Sequence, residues 1–238
     1  QDLRTMAANA AAAAPFSLPA VPFDLPILSP AVRNIAVHVV DEHNILTQEN
    51  AYLQERTSNP SQAYLKWPMK ASIPLNQGGQ VVFCQVLLRD WSSAAIHNDV
   101  VFTKSDFYVA IKKTRRRPLD EGLHRHETGQ GTVVNENAYT EIKVMQDYGN
   151  YENIMPCYEA LADERYIYNV MLYARDGDLF SHIRHGLGGG YQPRQDIPKI
   201  FKQLVHNLQY LQQHRLIHRD LKPENIVRQS HWTPFLDF

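Results

Sequence analysis

Residues 217–227 read I-H-R-D-L-K-P-E-N-I-V and contain the densest group of chemically active side chains in this chain. This stretch places a carboxylate, an ammonium and a carboxamide close together, at Asp220, Lys222 and Asn225. Because Pro223 lacks a backbone donor and interrupts a helix, we expect a loop in which these side chains face one pocket. A carboxylate can accept a proton, an amide oxygen can bind Mg²⁺, and an ammonium can neutralise phosphate. The stretch therefore indicates phosphoryl transfer, which depends mainly on positioning and charge stabilisation.

The same stretch also matches a known sequence pattern. Every fixed position of H-R-D-L-x-x-x-N is present, as His218, Arg219, Asp220, Leu221 and Asn225. On these residues the chain resembles the eukaryotic-type protein kinases, and Lys222 is similar to the lysine of their serine/threonine branch. The alternative, a chance turn with an aspartate at a helix N-cap, leaves the five matches unexplained. The resemblance implies an α+β fold with a small β-rich N-terminal lobe and a helical C-terminal lobe, which is incomplete here.

Composition limits the classes of protein and partner. The chain has 238 residues, enough for one ordinary domain and a tail, and a net charge of −1, so we expect neither nucleic acid nor membrane as a partner. Only Cys84 and Cys157 are present, too few for a disulfide framework, and no apolar run reaches membrane-spanning length. We expect a cytoplasmic protein. The basic run Arg115–Arg117 favours a solvated loop and leaves a nuclear location as the alternative.

The first 65 residues are predicted to lie outside the main domain. Residues 1–31 are rich in Ala, Pro and Ser, which predicts a disordered or extended tail, and they lack the pattern of a secretory signal. Over 32–56 the spacing of apolar residues predicts a helix with one narrow seam, and over 32–65 we place this helix and a linker. The residues seven apart are Val32, Val39, Leu46 and Leu53. The other seam positions are poor, so oligomerisation through 32–56 is a weaker alternative.

Residues 66–173 are predicted to form the N-terminal lobe and hinge. Apolar runs predict strands over 81–88 and 107–111, joined by a polar hairpin over 89–106. V-A-I-K at 109–112 matches a kinase strand, and the resemblance implies that Lys112 holds the α- and β-phosphates of ATP. An ordinary exposed strand-end lysine is the alternative. The pattern then requires a glutamate partner on a helix, which we predict over 137–148 with Glu141 as the candidate and Glu136 as the second choice.

The hinge is expected after the apolar strand run at 166–173. The resemblance implies that backbone groups of Leu172 and Ala174 face the adenine of ATP and that Val227 also contacts the nucleotide. Asp178 matches an acidic position that binds the ribose. It also suits the N-cap of a helix over 179–185, and the two roles are compatible.

The glycine-rich loop departs from the kinase pattern. G-x-G-x-x-G lets backbone N–H groups close over phosphates without a Cβ in the way. The candidate stretch at 75–86 reads L-N-Q-G-G-Q-V-V-F-C-Q-V and supplies Gly78 and Gly79 without the full spacing. We therefore expect ATP to be bound more loosely than usual, or through another geometry of this loop.

Residues 174–238 are predicted to be part of the C-terminal lobe. Apolar residues at three- and four-residue steps over 197–211 predict its main helix. Asp237 and Phe238 match the start of D-F-G, whose aspartate binds Mg²⁺ together with Asn225. Later segments of the pattern are absent, which would leave the helix partly uncovered. We therefore expect this chain alone to be poorly stable and inactive, with the activity belonging to the complete parent protein.

Two functions compete. The first is a serine/threonine protein kinase that uses ATP and Mg²⁺ and acts on protein substrates. The residues implied for catalysis are Asp220, Lys222, Lys112 and Glu141. The alternative is a pseudokinase that acts as a binding or scaffold module, which the incomplete glycine loop favours and the intact catalytic residues oppose.

Overall fold

A computed structural model of the chain describes residues 25–75, 79–92, 100–117, 119–120, 137–149, 151, 153–185, 193–229 and 233–236. The strands, in chain order, are β1 (Ser29–Val40), β2 (Leu46–Glu55), β3 (Gln62–Lys66), β4 (Ile73–Pro74), β5 (Gln80–Arg89), β6 (Val101–Arg115), β7 (Cys157–Ala162), β8 (Tyr166–Leu172), β9 (Ile226–Gln229) and β10 (Thr233–Leu236). The helices are α1 (Ala138–Tyr148), between β6 and β7, and α2 (Leu179–His185) and α3 (Pro193–Gln213), between β8 and β9. Strands thus dominate the first part of the chain and helices the second, as the predicted α+β class requires.

The first eight strands form one sheet that closes on itself. Its order is β3-β2-β1-β7-β8-β6-β5-β4, and β3 also pairs with β5. Strands β3, β2, β1, β7, β8, β6 and β5 therefore form a ring. The long strand β6 also pairs in parallel with the end of β1, from His38↔Val101 to Val40↔Thr103. The pairing of β3 with β5 covers edges that these strands would otherwise expose with unpaired backbone groups.

The interior of this ring is filled by apolar side chains from strands that are distant in sequence. One cluster comprises Ala31, Leu53, Tyr64, Val82, Cys84, Val86, Val109, Ile111, Leu161, Tyr168 and Val170. A second, toward the β1–β2 turn, comprises Val37, Val39, Ala51, Ala63, Leu87 and Phe102. Because β1 and β2 contribute to both clusters, they belong to the core of this lobe.

Closure of the ring predicts slow reaction of its buried thiol. Cys84 is fully buried, and burial raises the pKa of both Cys84 and Cys157 to about 12. Since the thiolate is the nucleophile, we expect alkylation of Cys84 at pH 8 to be at least about a hundredfold slower in the folded chain than in urea. Mass spectrometry of iodoacetamide-treated protein measures both rates. Equal rates for Cys84 with and without urea would show that the ring is not closed.

The helix predicted over 32–56 is wrong, because β1 and β2 occupy this segment. The β-branched residues Ile35, Val37 and Val39 occupy every second position of β1 and face the interior together. This spacing of two residues is the period of a strand. A seven-residue spacing instead puts Val32 and Val39 on opposite faces of a strand. The seam on which oligomerisation through this segment rested is therefore absent.

The predicted boundaries of the N-terminal lobe also change. Residues 29–31, assigned to the tail, begin β1, and the lobe starts there instead of near residue 66. The predicted hairpin over 89–106 is shorter, since β6 begins at Val101. Both errors have one cause: polar residues alternate with apolar ones on strands that show one face to solvent. The predicted strands at 81–88 and 166–173 match β5 and β8 closely.

The two helices that frame the site form as the sequence predicts. The side chain of Asn137 caps α1 by accepting a hydrogen bond of 3.0 Å from the backbone N–H of Tyr139. Helix α3 contains the predicted stripe and buries Ile200, Leu204 and Leu211 against Ile154 and Ile226. Other stripe residues, Ile197 and Phe201, are exposed by 51% and 65%. Among the described residues, no helix has both the length and the apolar character needed to cross a membrane.

Candidate active site

An ion pair joins the middle of the sheet to helix α1. Lys112 lies on β6 between Val81 of β5 and Asn169 of β8, and its Nζ is 2.7 Å from Oε2 of Glu141. The two side chains are only 18% and 10% exposed. Removing one partner of such a pair leaves a desolvated charge and typically costs about 3–5 kcal/mol. The pair therefore fixes the lysine relative to both the sheet and the helix.

Asn169 supports this ion pair. Its Nδ2 donates to Oε1 of Glu141 at 3.4 Å and to Sδ of Met145 at 3.0 Å. The residue is buried on β8, where an unpaired amide would be costly. Sequence reasoning missed this residue. The available signal was one amide inside the otherwise apolar run Y-I-Y-N-V-M-L.

The loop after α3 gathers three polar side chains. Nζ of Lys222 lies 2.6 Å from Oδ2 of Asp220, and Nδ2 of Asn225 donates to that oxygen at 3.0 Å and to the backbone carbonyl of Asp220 at 2.8 Å. A short 3₁₀ turn, Pro223–Asn225, brings Asn225 back toward Asp220, as expected for a proline in this position. Arg219 has a φ of +66°, a left-handed conformation that turns the chain just before the aspartate.

These contacts determine the charge of Asp220. The hydrogen bonds from Lys222 and Asn225 lower the pKa of the carboxyl below its usual range, since they favour the ionised form. The carboxylate is exposed and ionised at neutral pH. The loop therefore presents a base, an ammonium and an amide next to one another.

An apolar cluster lies between the ion pair and this loop. Its members are Phe83, Ala110, Met145, Met155, Met171 and Leu172, with Trp67, Val81, Cys157, Tyr173 and Val227 partly buried against them. Ala110 is next but one to Lys112 on β6, and Val227 follows Asn225 by two residues on β9. The cluster thus connects the sheet that holds Lys112 with the loop that holds Asp220.

Comparison with known proteins places this arrangement in a family. A family model described as "Protein kinase domain" matches residues 98–236. The chain belongs to the protein kinase family. Serine/threonine protein kinases OSK3 and OSK4 of Oryza sativa are each 30% identical to it over 122 residues, which is 51% of this chain and 21% of the relative. The match thus spans about a fifth of the length of these kinases.

The kinase pattern assigns roles that the geometry accommodates. Lys112 and Glu141 are paired, and Asp220, Lys222 and Asn225 are adjacent. Kinases generally use ATP and Mg²⁺. The donors here fit both, since carboxylate and amide oxygens suit Mg²⁺, an ammonium suits phosphate, and an apolar cluster suits a nucleobase. Asp237, the other predicted Mg²⁺ ligand, and Glu136, the second-choice partner of Lys112, lie outside the described residues.

The structure adds detail at the predicted hinge. Leu172 pairs with Val109, and the carbonyl of Ala174 accepts a hydrogen bond of 3.1 Å from the N–H of Gly177. Asp178 caps α2, with Oδ1 accepting from the N–H of Ser181 at 2.7 Å and Oδ2 from its hydroxyl at 2.9 Å. The N-cap alternative for Asp178 is thus observed. The nucleotide contacts of Leu172, Ala174, Asp178 and Val227 stay predictions.

Three aromatic residues of the apolar cluster, Phe83, Trp67 and Tyr173, are not predicted from the sequence as part of the site. The ring of Tyr173 lies 5.2 Å from that of Phe83 and 5.9 Å from that of Trp67. Nζ of Lys70 lies 5.4 Å from the Phe83 centroid and 5.7 Å from the Tyr173 centroid. Such ammonium–ring contacts are favourable. The signal was available as W-P-M-K at 67–70, directly after a strand run.

In the glycine-containing loop, Gly79 has a close-approach role. A Cβ at this position would lie 2.7 Å from the backbone carbonyl oxygen of Lys113, which is too close. The carbonyl of Gly79 also accepts a hydrogen bond of 3.0 Å from the N–H of Leu75. The absence of a side chain at Gly79 therefore lets the backbone just before β5 lie close to β6, next to Lys112. Gly78 lies outside the described residues.

This contact predicts a cost for a side chain at Gly79. We expect Gly79→Ala to lower the free energy of unfolding by about 1–3 kcal/mol, because the backbone must shift to relieve the overlap. Urea denaturation followed by circular dichroism measures the change. Ala71→Ser, at an exposed position of the same segment, is the control and should have little effect. An unchanged free energy for Gly79→Ala would contradict the close approach.

Proposed function

We propose that the complete protein transfers the γ-phosphate of ATP to Ser and Thr hydroxyls of protein substrates. The observation that carries the proposal is the 2.7 Å ion pair between Lys112 and Glu141. A largely desolvated ion pair is a poor source of stability, because an apolar pair of similar size is often as stable. The pair instead holds the ammonium of Lys112 in one place beside the apolar cluster. Relatives named as serine/threonine kinases support the choice of acceptor.

The residues have separate tasks in this proposal. Lys112 orients the α- and β-phosphates of ATP, and Glu141 holds Lys112. Asp220 accepts the proton of the substrate hydroxyl, and Lys222 neutralises charge on the γ-phosphate. Both side-chain contacts to Asp220 described above use Oδ2, so Oδ1 is the oxygen proposed to take the proton. Asn225 and Asp237 hold Mg²⁺, which when bound offsets the negative charge that develops on the phosphates.

Binding of the nucleotide base is assigned to the apolar cluster. Backbone groups of Leu172 and Ala174 would form its hydrogen bonds, Val227 and Ala110 would pack against it, and Asp178 would bind the ribose. The close packing of Gly79 on β6 supports a loop near the phosphates despite the missing G-x-G-x-x-G spacing.

We also propose a cytoplasmic location.

Phosphorylation by the complete protein tests this function. The purified protein is incubated with Mg²⁺-ATP and a generic protein acceptor, and mass spectrometry locates the phosphate. We expect phosphoserine and phosphothreonine that disappear when Asp220 is replaced. Binding of Mg²⁺-ATP without transfer would favour the scaffold alternative, which the comparisons do not support. The low activity expected of this chain alone stays a prediction, consistent with the exposure of Ile197 and Phe201 on α3.

A further inference from the structure

The four residues before β1 lie against the helix that carries Glu141. The side-chain amide of Gln146 on α1 makes two hydrogen bonds to the backbone of Ile27: Oε1 accepts from the N–H at 3.2 Å, and Nε2 donates to the carbonyl at 2.9 Å. Leu28 packs on the cluster that contains Tyr139 and Ile142 of the same helix. Within residues 25–28, Ile27 thus bonds directly to α1, and Leu28 packs on an apolar cluster that α1 shares with β7 and β8.

This segment is itself fixed to the sheet. Directly after it, Ser29 and Pro30 pair with Leu161 and Ala162 of β7, and the carbonyl of Pro30 accepts a hydrogen bond of 2.7 Å from the N–H of Arg56. Further along β1, Nε of Arg33 lies 2.6 Å from Oδ2 of Asp163, in the turn between β7 and β8. The guanidinium also lies 5.1 Å from the Tyr166 ring centroid. Residues 25–28 are therefore joined to a part of β1 that is fixed to the sheet and to the turn between β7 and β8.

Helix α1 lies between this segment and the catalytic lysine. Glu141 and Gln146 are five residues apart, so their side chains point in directions that differ by roughly 140° around the helix axis. Glu141 contacts Lys112 on one side, and Gln146 contacts Ile27 on another. A rotation or shift of α1 that carried Glu141 away from Lys112 would also break the bonds to Ile27.

We infer that residues 25–28 are a positioning segment for Glu141: through Gln146 and Leu28 they hold α1 in the orientation in which Glu141 pairs with Lys112. The inference rests on the proposed function for its catalytic meaning. It assigns a role to a part of the chain that precedes the kinase match at residues 98–236. The position of Glu141 thereby depends on a contact with Ile27, which is more than a hundred residues away in the sequence.

The test removes the polar contact and leaves the rest of α1 in place. In Gln146→Ala we expect hydrogen exchange of the α1 amides to become about tenfold faster, since two hydrogen bonds are lost. We expect acylation of Lys112 by a neutral amine reagent to become about fivefold faster, because an ammonium held by a carboxylate loses its proton less readily. Exchange in β2, whose Ala51 and Leu53 lie in the two clusters inside the ring, should stay unchanged. Ile27→Ala keeps the backbone atoms and changes a side chain that is 82% exposed, so it is the matched control.

The outcomes separate this inference from the proposed function. Unchanged acylation of Lys112 in both Gln146→Ala and Leu28→Ala would overturn the inference, even if α1 exchanged faster. Dissociation constants for Mg²⁺-ATP are measured on the same proteins, with an increase of about fivefold expected for Gln146→Ala. If the complete protein without these substitutions bound no Mg²⁺-ATP, the proposed function would fail. The exchange and acylation results would still decide whether residues 25–28 position Glu141.

Discussion

Asp220→Asn is expected to lower the rate of phosphate transfer by the complete protein about a thousandfold, within the range for loss of a general base. An amide has the shape of the carboxylate but cannot accept the proton of the substrate hydroxyl. It can still accept hydrogen bonds from Lys222 and Asn225, so the loop should keep its conformation. We therefore expect the dissociation constant for Mg²⁺-ATP to change by less than about threefold. Steady-state kinetics and calorimetry measure the two quantities.

The control for this substitution lies on the same loop. Glu224→Gln removes an exposed carboxylate four residues away and should leave the rate within about twofold, since the side chain has no assigned role. An Asp220→Asn protein that kept more than a tenth of the unmodified rate would mean that another group accepts the proton. The assignment of Asp220 as the base would then be wrong.

The second large effect concerns the ion pair. We expect Lys112→Met to lower kcat/KM for ATP about a hundredfold or more, as is typical when a charge-stabilising donor is lost. Glu141→Gln should have a smaller effect, because the lysine remains but is no longer held. The double variant should be no worse than Lys112→Met, since Glu141 acts only through Lys112. Steady-state kinetics of the unmodified protein, the two single variants and the double variant measure this double-mutant cycle.

Lys113→Met is the matched control for the pair. Lys113 is the next residue on β6, and its Nζ lies 4.0 Å from the Tyr166 ring centroid, away from Glu141. We expect this variant to keep kcat/KM within about twofold. Strictly additive losses in the Lys112 and Glu141 cycle would show that the two residues act independently, which the 2.7 Å contact does not allow.

The parts of the fold that sequence predicts well have short-range signals. Helix α3 follows from apolar residues at three- and four-residue steps, and α1 from Ile142, Met145 and Gln146, which are about one turn apart. The polar loop after α3 follows from Pro223 and the side chains around it. Only the family resemblance predicts that Lys112 and Glu141 lie close together, because 29 residues separate them and no local pattern links them.

The parts that were missed depend on long-range packing. The seven-residue spacing of Val32 and Val39 predicts a helix for the segment of β1, whereas the alternation of Ile35, Val37 and Val39 indicates a strand. The alternation becomes decisive only when β7 and β6 are available as pairing partners. Likewise, the contact of Gln146 with Ile27 joins residues 119 positions apart. Nothing local in either residue points to the other.

Affinity labelling with an acyl phosphate of ATP tests most directly whether these residues share one nucleotide site. An amine close to the bound phosphates attacks the acyl carbon and is acylated, with ATP as the leaving group. We expect Lys112 to be acylated, with Lys222 as the second site, and excess Mg²⁺-ATP to suppress both reactions. Labelling confined to other lysines, or labelling of Lys112 that Mg²⁺-ATP does not suppress, would contradict a shared nucleotide site.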